Sequence, residues 1–407
     1  MRRVVITGMG GYSPLGSDVG EAVDFLKSCK SAVKRVPELS LCKGMLTSIG
    51  AKVEAALPEY SRKRTRTMGR VGILAAAATE KALADANLAG DPSLGDGSCG
   101  IAYGSCGGSA KSMKDAGMFA CDGDCSHLSA TTYAAMMPHT VAVNLAMFFG
   151  IKGRIIATST ACTSGSQAVG YAYEAIKSGA QDVMIAGGAD EFSPFTVAVF
   201  DVMFATAQDC EDPSSEPRPF DRNRDGIVAA EGAGTLILEE YGRAVARGAK
   251  IYAEIVGFAT NCDAMHITEP SSPDMEKCMR LALGSAGLEA SDIGYINAHG
   301  TGTAKGDAAE SNAMYRLFGS DVPVSTIKGC MGHAMGAAGA LEAIYSIEMM
   351  NRGWFAPTLN LSEPSDECGK LDYVIGHGRD IDAEYVMSNN FAFGGVNTSL
   401  IFRKTSE

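Results

Sequence analysis

Nowhere does the sequence hold an apolar run of the roughly 18 residues that a membrane-crossing helix requires, which excludes a transmembrane helix. The opening run Val4-Val5-Ile6 is soon cut by Gly8, so it reads as a first strand rather than as the core of a signal peptide. Positive charge is also short. With 35 Lys and Arg against 47 Asp and Glu the formal net charge is −12, which excludes broad adhesion to nucleic acid or to an anionic membrane. An acidic partner must therefore find a local basic patch. Only 14 prolines accompany 48 glycines, with 46% of residues hydrophobic and 20% charged, a balance that excludes disordered, collagen-like and coiled-coil chains.

Paired cysteine spacing is missing as well. The 12 cysteines are scattered from Cys29 to Cys368 without a framework, the expectation for reduced thiols in a cytoplasmic protein. Cys121 and Cys125, followed by His127, have no second cysteine pair, so this segment is expected to be a polar surface loop and no metal site is expected. Gly8-Met9-Gly10-Gly11 lacks the third glycine of a dinucleotide loop and reads as a turn.

The 407 residues exceed the roughly 250–300 at which a single core stops growing, so two domains or a duplicated fold are expected. Strand-like and helix-like runs alternate throughout, the pattern of an α/β protein. Residues 154–158 read as a strand, 159–165 as a small-residue elbow around Cys162, and the run up to Gly179 as a helix; 183–186 form the next strand. Residues 252–258 (strand), 275–286 (helix) and 294–297 (strand) repeat the alternation. Asp307 with Glu310 three residues on then resembles a helix cap. A strand over 322–327 and a small-residue helix over 336–351 follow. The basic stretch 243–250 separates an N-terminal half, 1–245, from a C-terminal half, 246–407.

Three segments place a reactive side chain among residues too small to obstruct a substrate: Cys162, His299 and His333. Cys162 sits where a strand hands over to a helix, whose free N–H groups and positive end favour a thiolate and offer an oxyanion site. His299 and His333 each adjoin glycine in a loop leaving a strand, and such loops bring catalytic groups together. Lys328 and Glu342 are expected to pair and to orient His333.

Taken together, these segments are similar to the β-ketoacyl-acyl carrier protein synthases, the KAS I/II branch of the thiolase-like condensing enzymes. The resemblance spans essentially the whole chain. It rests on Val4 to Gly10, Thr160-Ala-Cys-Thr-Ser-Gly165, Arg218 to Gly226, Asn297-Ala-His-Gly300, Lys328 to Gly339 and Ser388 to Asn397. It implies a duplicated thiolase-like fold, two similar halves with mixed sheets and helices layered α-β-α-β-α. It also implies decarboxylative condensation of an acyl thioester with malonyl-acyl carrier protein in fatty-acid elongation; the alternative is a ketosynthase subunit of a type II polyketide or polyene pathway. Cys162 would carry the acyl group, His299 and His333 would stabilise the malonyl-derived enolate, and the Cys162 and Phe393 N–H groups would form the oxyanion hole. Thr301 and Thr303 match residues that bond the phosphopantetheine arm, and Phe393, near Phe391, matches a gate.

No tightly bound cofactor is implied, since phosphopantetheine arrives on the carrier. The partners implied are the acyl carrier protein and a second subunit, identical or not, with no nucleic acid and no membrane. Residues 183–188 and 136–149 are candidates for the subunit interface and the distal wall of the acyl pocket. Arg62, Lys63, Arg66 and Arg70 form the densest basic cluster and fall where carrier docking is expected. A chain-length-factor-like subunit would lack the nucleophile, and a degradative thiolase would carry a second cysteine where Gly394-Gly-Val-Asn397 stands. Gly302, Ala304, Ile227, Ala229, Ala230 and Asn390 depart from the family pattern, which leaves acyl-length preference open.

Overall fold

The computed structural model describes residues 1–405. Its first strand, β1 (Val4–Tyr12), is buried along its whole length and runs straight through the glycines expected to turn. The turn is thereby corrected. A Cβ at Gly8 or Gly10 would collide with the carbonyl oxygens of Ala82 and Ala78, so these glycines let helix α1 (Arg70–Asp85) lie directly on the strand backbone.

Four more strands complete the N-terminal half: β2 (Cys99–Gly104), β3 (Ile155–Thr158), β4 (Val183–Asp190) and β5 (Gly232–Glu240). They lie in the order β3-β2-β4-β5-β1, with β2 parallel to both neighbours and β5 antiparallel to both of its own. The C-terminal half has β6 (Ala253–Cys262), β7 (Ile293–Asn297), β8 (Pro323–Ser325), β9 (Tyr385–Phe391) and β10 (Val396–Arg403). Their order is β8-β7-β9-β10-β6, with the same directions. The duplication that identities hide is therefore plain in the topology. β1 and β6 pair antiparallel where the halves meet, and Asp372–Tyr373 adds the eleventh strand beside β8.

Successive residues of one strand face different cores, as the pleat requires. Ile101 and Ile185 point toward α1 and α2 (Thr140–Phe149), whereas Ala102 and Ala186 point to the central helices α3 (Ser164–Lys177) and α6 (Ala338–Arg352). On the far side Ile296, Met387 and Ile401 meet α4 (Ser272–Ala286) and α5 (Ala304–Phe318). The result is the α-β-α-β-α layering. Small residues let the central pair approach: a Cβ on Gly165 would sit 2.7 Å from the Gly336 carbonyl oxygen.

The strand over 183–188 is interior and fully buried, which removes it from the candidate subunit surface. The exposed sheet edge is instead β3, where Ile155 is 44% exposed. No helix among the described residues is long and apolar enough to cross a membrane.

Candidate active site

Each half has a connection from its third strand into a central helix, and these two connections converge. From β3, Ala161 adopts a left-handed φ of 50° and a short 3-10 turn, Ala161–Thr163, runs into α3. Ser164 clamps the turn, its hydroxyl donating to the Ala161 carbonyl oxygen at 2.7 Å and accepting the Thr160 N–H at 2.9 Å. A non-glycine residue in that region is strained, and here the strain aims Cys162 into a cavity. Burial pushes the Cys162 thiol up to about 12, with Lys328 and a backbone N–H pulling the other way. Burial outweighs the helix-end effect expected from sequence, so Cys162 rests as a thiol.

His333 lies on the connection from β8 to α6. Its backbone is pinned on both sides, N–H to Val228 oxygen at 2.8 Å and carbonyl to Ala230 N–H at 2.9 Å, while both ring nitrogens are buried without a partner. His299 follows β7. Its N–H and that of Gly300 donate to Glu310 at 2.6 and 2.8 Å, and Asp307 accepts from Phe220, Thr301 and Gly302.

The helix cap expected at Asp307 is thus corrected: α5 starts at Ala304, and Asp307 and Glu310 turn back from its first turns to hold the histidine loop. Burial raises Asp307 to about 6 and Glu310 to about 8, so near neutrality Asp307 is still mostly ionised whereas Glu310 is mostly protonated.

Reactive atoms of Cys162, His299 and His333 all lie within 4.8 Å of one another, and the two imidazoles meet edge to face at 85°. Burial, reinforced by the Lys328 ammonium, depresses both histidines well below their ordinary range, so both are neutral N–H donors. One ion could bridge these three atoms by distance alone, but the adjacent ammonium opposes a cation.

Lys328 pairs with Glu342 as expected, but the pair serves the other histidine. Its ammonium donates to the His299 carbonyl oxygen at 2.6 Å and lies 3.3 Å from His299 Nδ1. The expectation that it orients His333 is corrected, because the β7 loop, not the His333 turn, passes over the ammonium.

Two acidic residues were not anticipated as part of the site. One is Glu310. The other is Asp190 at the end of β4, fully buried, which gathers Ser105, Cys106, Gly107 and Gly336 around its carboxylate. The sequence signal for Glu310 was an acid one helical turn beyond a Gly-rich histidine loop; Asp190 had no local signal.

Two family models match in tandem: "Beta-ketoacyl synthase, N-terminal domain" over residues 1–244 and "Beta-ketoacyl synthase, C-terminal domain" over 252–362. The chain belongs to the beta-ketoacyl synthase family. Its fold closely matches a crystal structure of a beta-ketoacyl synthase from Burkholderia phymatum, with TM-score 0.98, 52% identity and full coverage of both chains. It is 36% identical to 3-oxoacyl-acyl-carrier-protein synthase 1 of Haemophilus influenzae over 99% of each chain. The ketosynthase of a type II polyketide system, solved with its acyl-carrier protein, matches at TM-score 0.87 and 30% identity over 99% of this chain and 100% of that one.

A cavity of about 490 Å³ leads from Cys162 and the histidines to the surface. Thr301 and Thr303 line it with their hydroxyls 3.0 Å apart. Phe391 is buried beside His299, and half-buried Phe393 rests on Phe200 with ring centroids 5.8 Å apart. Next to Phe393 the N–H groups of Ala392 and Gly394 are taken by Val396 and Ile267, whereas that of Phe393 has no backbone partner. Gly394 and Gly395 have φ of 84° and 74°, and a Cβ on Gly395 would strike Asp263, so this turn admits only glycine there.

The basic cluster divides. Arg62, Lys63 and Arg66 are exposed on and beside a one-turn helix, Arg62–Thr65. Arg70 is committed to the fold: its guanidinium grips the buried carboxylate of Glu231 at 2.7 and 2.8 Å, because that charge needs a counterion. Arg70 is 41% exposed but tied to Glu231, unlike the other three basic residues, which are free of ion pairs among the described residues. Cys121 and Cys125 are exposed, and His127 bonds Asp122 at 2.8 Å.

Proposed function

We propose that the chain condenses an acyl thioester with malonyl-acyl carrier protein to give 3-oxoacyl-acyl carrier protein and CO₂, extending a fatty acid by two carbons. The observation that carries this reading is the convergence of one thiol and two neutral imidazoles within 4.8 Å at the base of a cavity. In the first half-reaction the Cys162 sulfur attacks the acyl carbonyl, and its proton leaves on the departing pantetheine thiol. In the second, the malonyl carboxylate leaves as CO₂ and its bonding pair moves into the thioester as an enolate. The N–H donors of His299 and His333 stabilise the enolate oxygen. The enolate carbon then attacks the acyl-Cys162 carbonyl, whose oxyanion is held by the Cys162 and Phe393 N–H groups. Collapse of that adduct releases the Cys162 thiolate, which takes a proton from solvent.

The phosphopantetheine arm comes with the carrier, passing Thr301 and Thr303, and no resident cofactor or metal is required. Arg62, Lys63 and Arg66 serve the acidic carrier surface. The enzyme works as a dimer in the cytoplasm. A second reading keeps the chemistry and assigns it to a type II polyketide or polyene pathway with a non-identical partner. It is favoured by the likeness to the ishigamide ketosynthase/chain length factor, TM-score 0.91 with 32% identity over the full length of both chains. Elongation assays with acyl carriers of graded length, read by mass spectrometry, test the proposal. Two-carbon extension of saturated acyl carriers supports fatty-acid elongation; turnover confined to polyketide or polyene intermediates favours the second reading. No malonyl-dependent extension with any acyl carrier would overturn both.

A further inference from the structure

Asn390 stands on β9 with no exposed surface, at a position where the family pattern leads one to expect serine. Its carboxamide nitrogen donates to Glu342 Oε2 at 2.6 Å and lies 3.3 Å from His299 Nδ1. The Lys328 ammonium approaches the same Nδ1 from another side, also at 3.3 Å. Two groups that can only donate thus face one ring nitrogen. That nitrogen must be the acceptor, which leaves the proton on Nε2.

We propose that Asn390 is a positioning residue that locks His299 in the Nε2–H tautomer by standing between its Nδ1 and the Glu342 carboxylate. The inference rests on the condensation reading above. Without Asn390, only the Lys328 ammonium would hold Nδ1 as an acceptor against the Glu342 carboxylate that Asn390 now bonds, and an imidazole facing a carboxylate draws its proton to the facing nitrogen. The NH₂ fork of asparagine has two hydrogens, one for Glu342 and one for His299. A serine hydroxyl has one hydrogen and serves only one of them. The wrong tautomer would turn an acceptor toward the enolate oxygen and forfeit one of the two donors that stabilise it.

The test separates the half-reactions in the full-length enzyme, using malonyl-carrier decarboxylation from pH 5.5 to 9 and intact-mass acylation of Cys162. Asn390→Ser should lower decarboxylation kcat by about tenfold, less than the roughly 100-fold or more of a whole acid–base group because Lys328 still faces Nδ1, with KM unchanged. Asn390→Asp should lower it by about 100-fold above neutrality and recover as the pH falls, because the protonated carboxyl regains an O–H donor. Acylation should stay within about twofold of wild type in both variants, a change far below the tenfold worth 1.4 kcal/mol. If the aspartate variant fails to fold, the serine variant carries the test through its kcat-against-KM split. Wild-type decarboxylation with an unchanged pH profile would overturn the proposal, and so would equal loss of both half-reactions. If the wild-type enzyme itself does not decarboxylate malonyl carrier, the condensation reading fails instead.

Discussion

Lys328 holds His299, not His333: its ammonium bonds the His299 carbonyl oxygen at 2.6 Å while paired with Glu342, and both side chains of the pair are almost fully buried. Lys328→Ala should therefore release the His299 loop and strand the Glu342 charge. The expected loss of stability is about 3–5 kcal/mol, the range for breaking a buried pair. Decarboxylation should fall further than Cys162 acylation. A melting temperature equal to wild type would contradict the assignment.

Cys162→Ala removes the nucleophile and leaves both imidazole donors in place. Acyl-enzyme formation and condensation should vanish, whereas malonyl decarboxylation should persist. Intact-mass detection of a stable acyl group elsewhere on this variant would refute Cys162 as the carrier of the chain.

His299→Ala and His333→Ala should show the opposite split. Each removes one enolate donor, so decarboxylation should drop by about 10²–10³-fold while acyl transfer is better preserved. Near-full decarboxylation by either variant would show that the missing ring does not touch the malonyl carbonyl.

The pH dependence of stability follows from the same two rings. Burial keeps both neutral in the folded enzyme, with proton affinity well below the ordinary 6.5. In the unfolded chain they bind protons below that value, so their contribution is complete above pH 6.5 and is lost as the pH falls toward the folded-state values. Denaturant titrations from pH 8 to 5 should show stability declining below 6.5, and His333→Ala should flatten part of that slope. An unchanged slope in the variant would contradict a buried neutral His333.

The two exposed and one committed arginines of the basic cluster predict different defects. Arg66→Glu should raise KM for carrier-borne substrates, most at low salt, and spare small acyl-pantetheine thioesters. Arg70→Glu should instead destabilise the fold, by about 2–3 kcal/mol or more, because Glu231 loses its counterion. Carrier-specific loss in a fully stable Arg70→Glu would place Arg70 in the docking patch.

Much of this site was legible because its reactive groups sit in local contexts with their own chemistry. A cysteine at a strand-to-helix elbow and histidines in glycine loops can be found without knowing what they face. The partners that orient them were less legible, because those contacts span the fold. Lys328 and His299 are brought together by parallel strands β8 and β7, and nothing in sequence spacing said which histidine the lysine would meet. Asp190, 146 residues from Gly336, is linked to it only by the packing of β4 on the central helices. Gly8 and Gly10 misled for a related reason: glycine marks both turns and close backbone approach, and only the position of α1 decides between them.

The central claim, that Cys162, His299 and His333 jointly perform decarboxylative condensation, is tested most directly by product stoichiometry. Purified enzyme would be given a short acyl carrier and malonyl carrier, with CO₂ and carrier-bound product measured together. One CO₂ is expected for each 3-oxoacyl carrier formed, two carbons longer than the primer, with acyl-Cys162 as the intermediate seen by mass spectrometry. Acyl transfer to Cys162 without any malonyl-dependent carbon–carbon bond formation would contradict it.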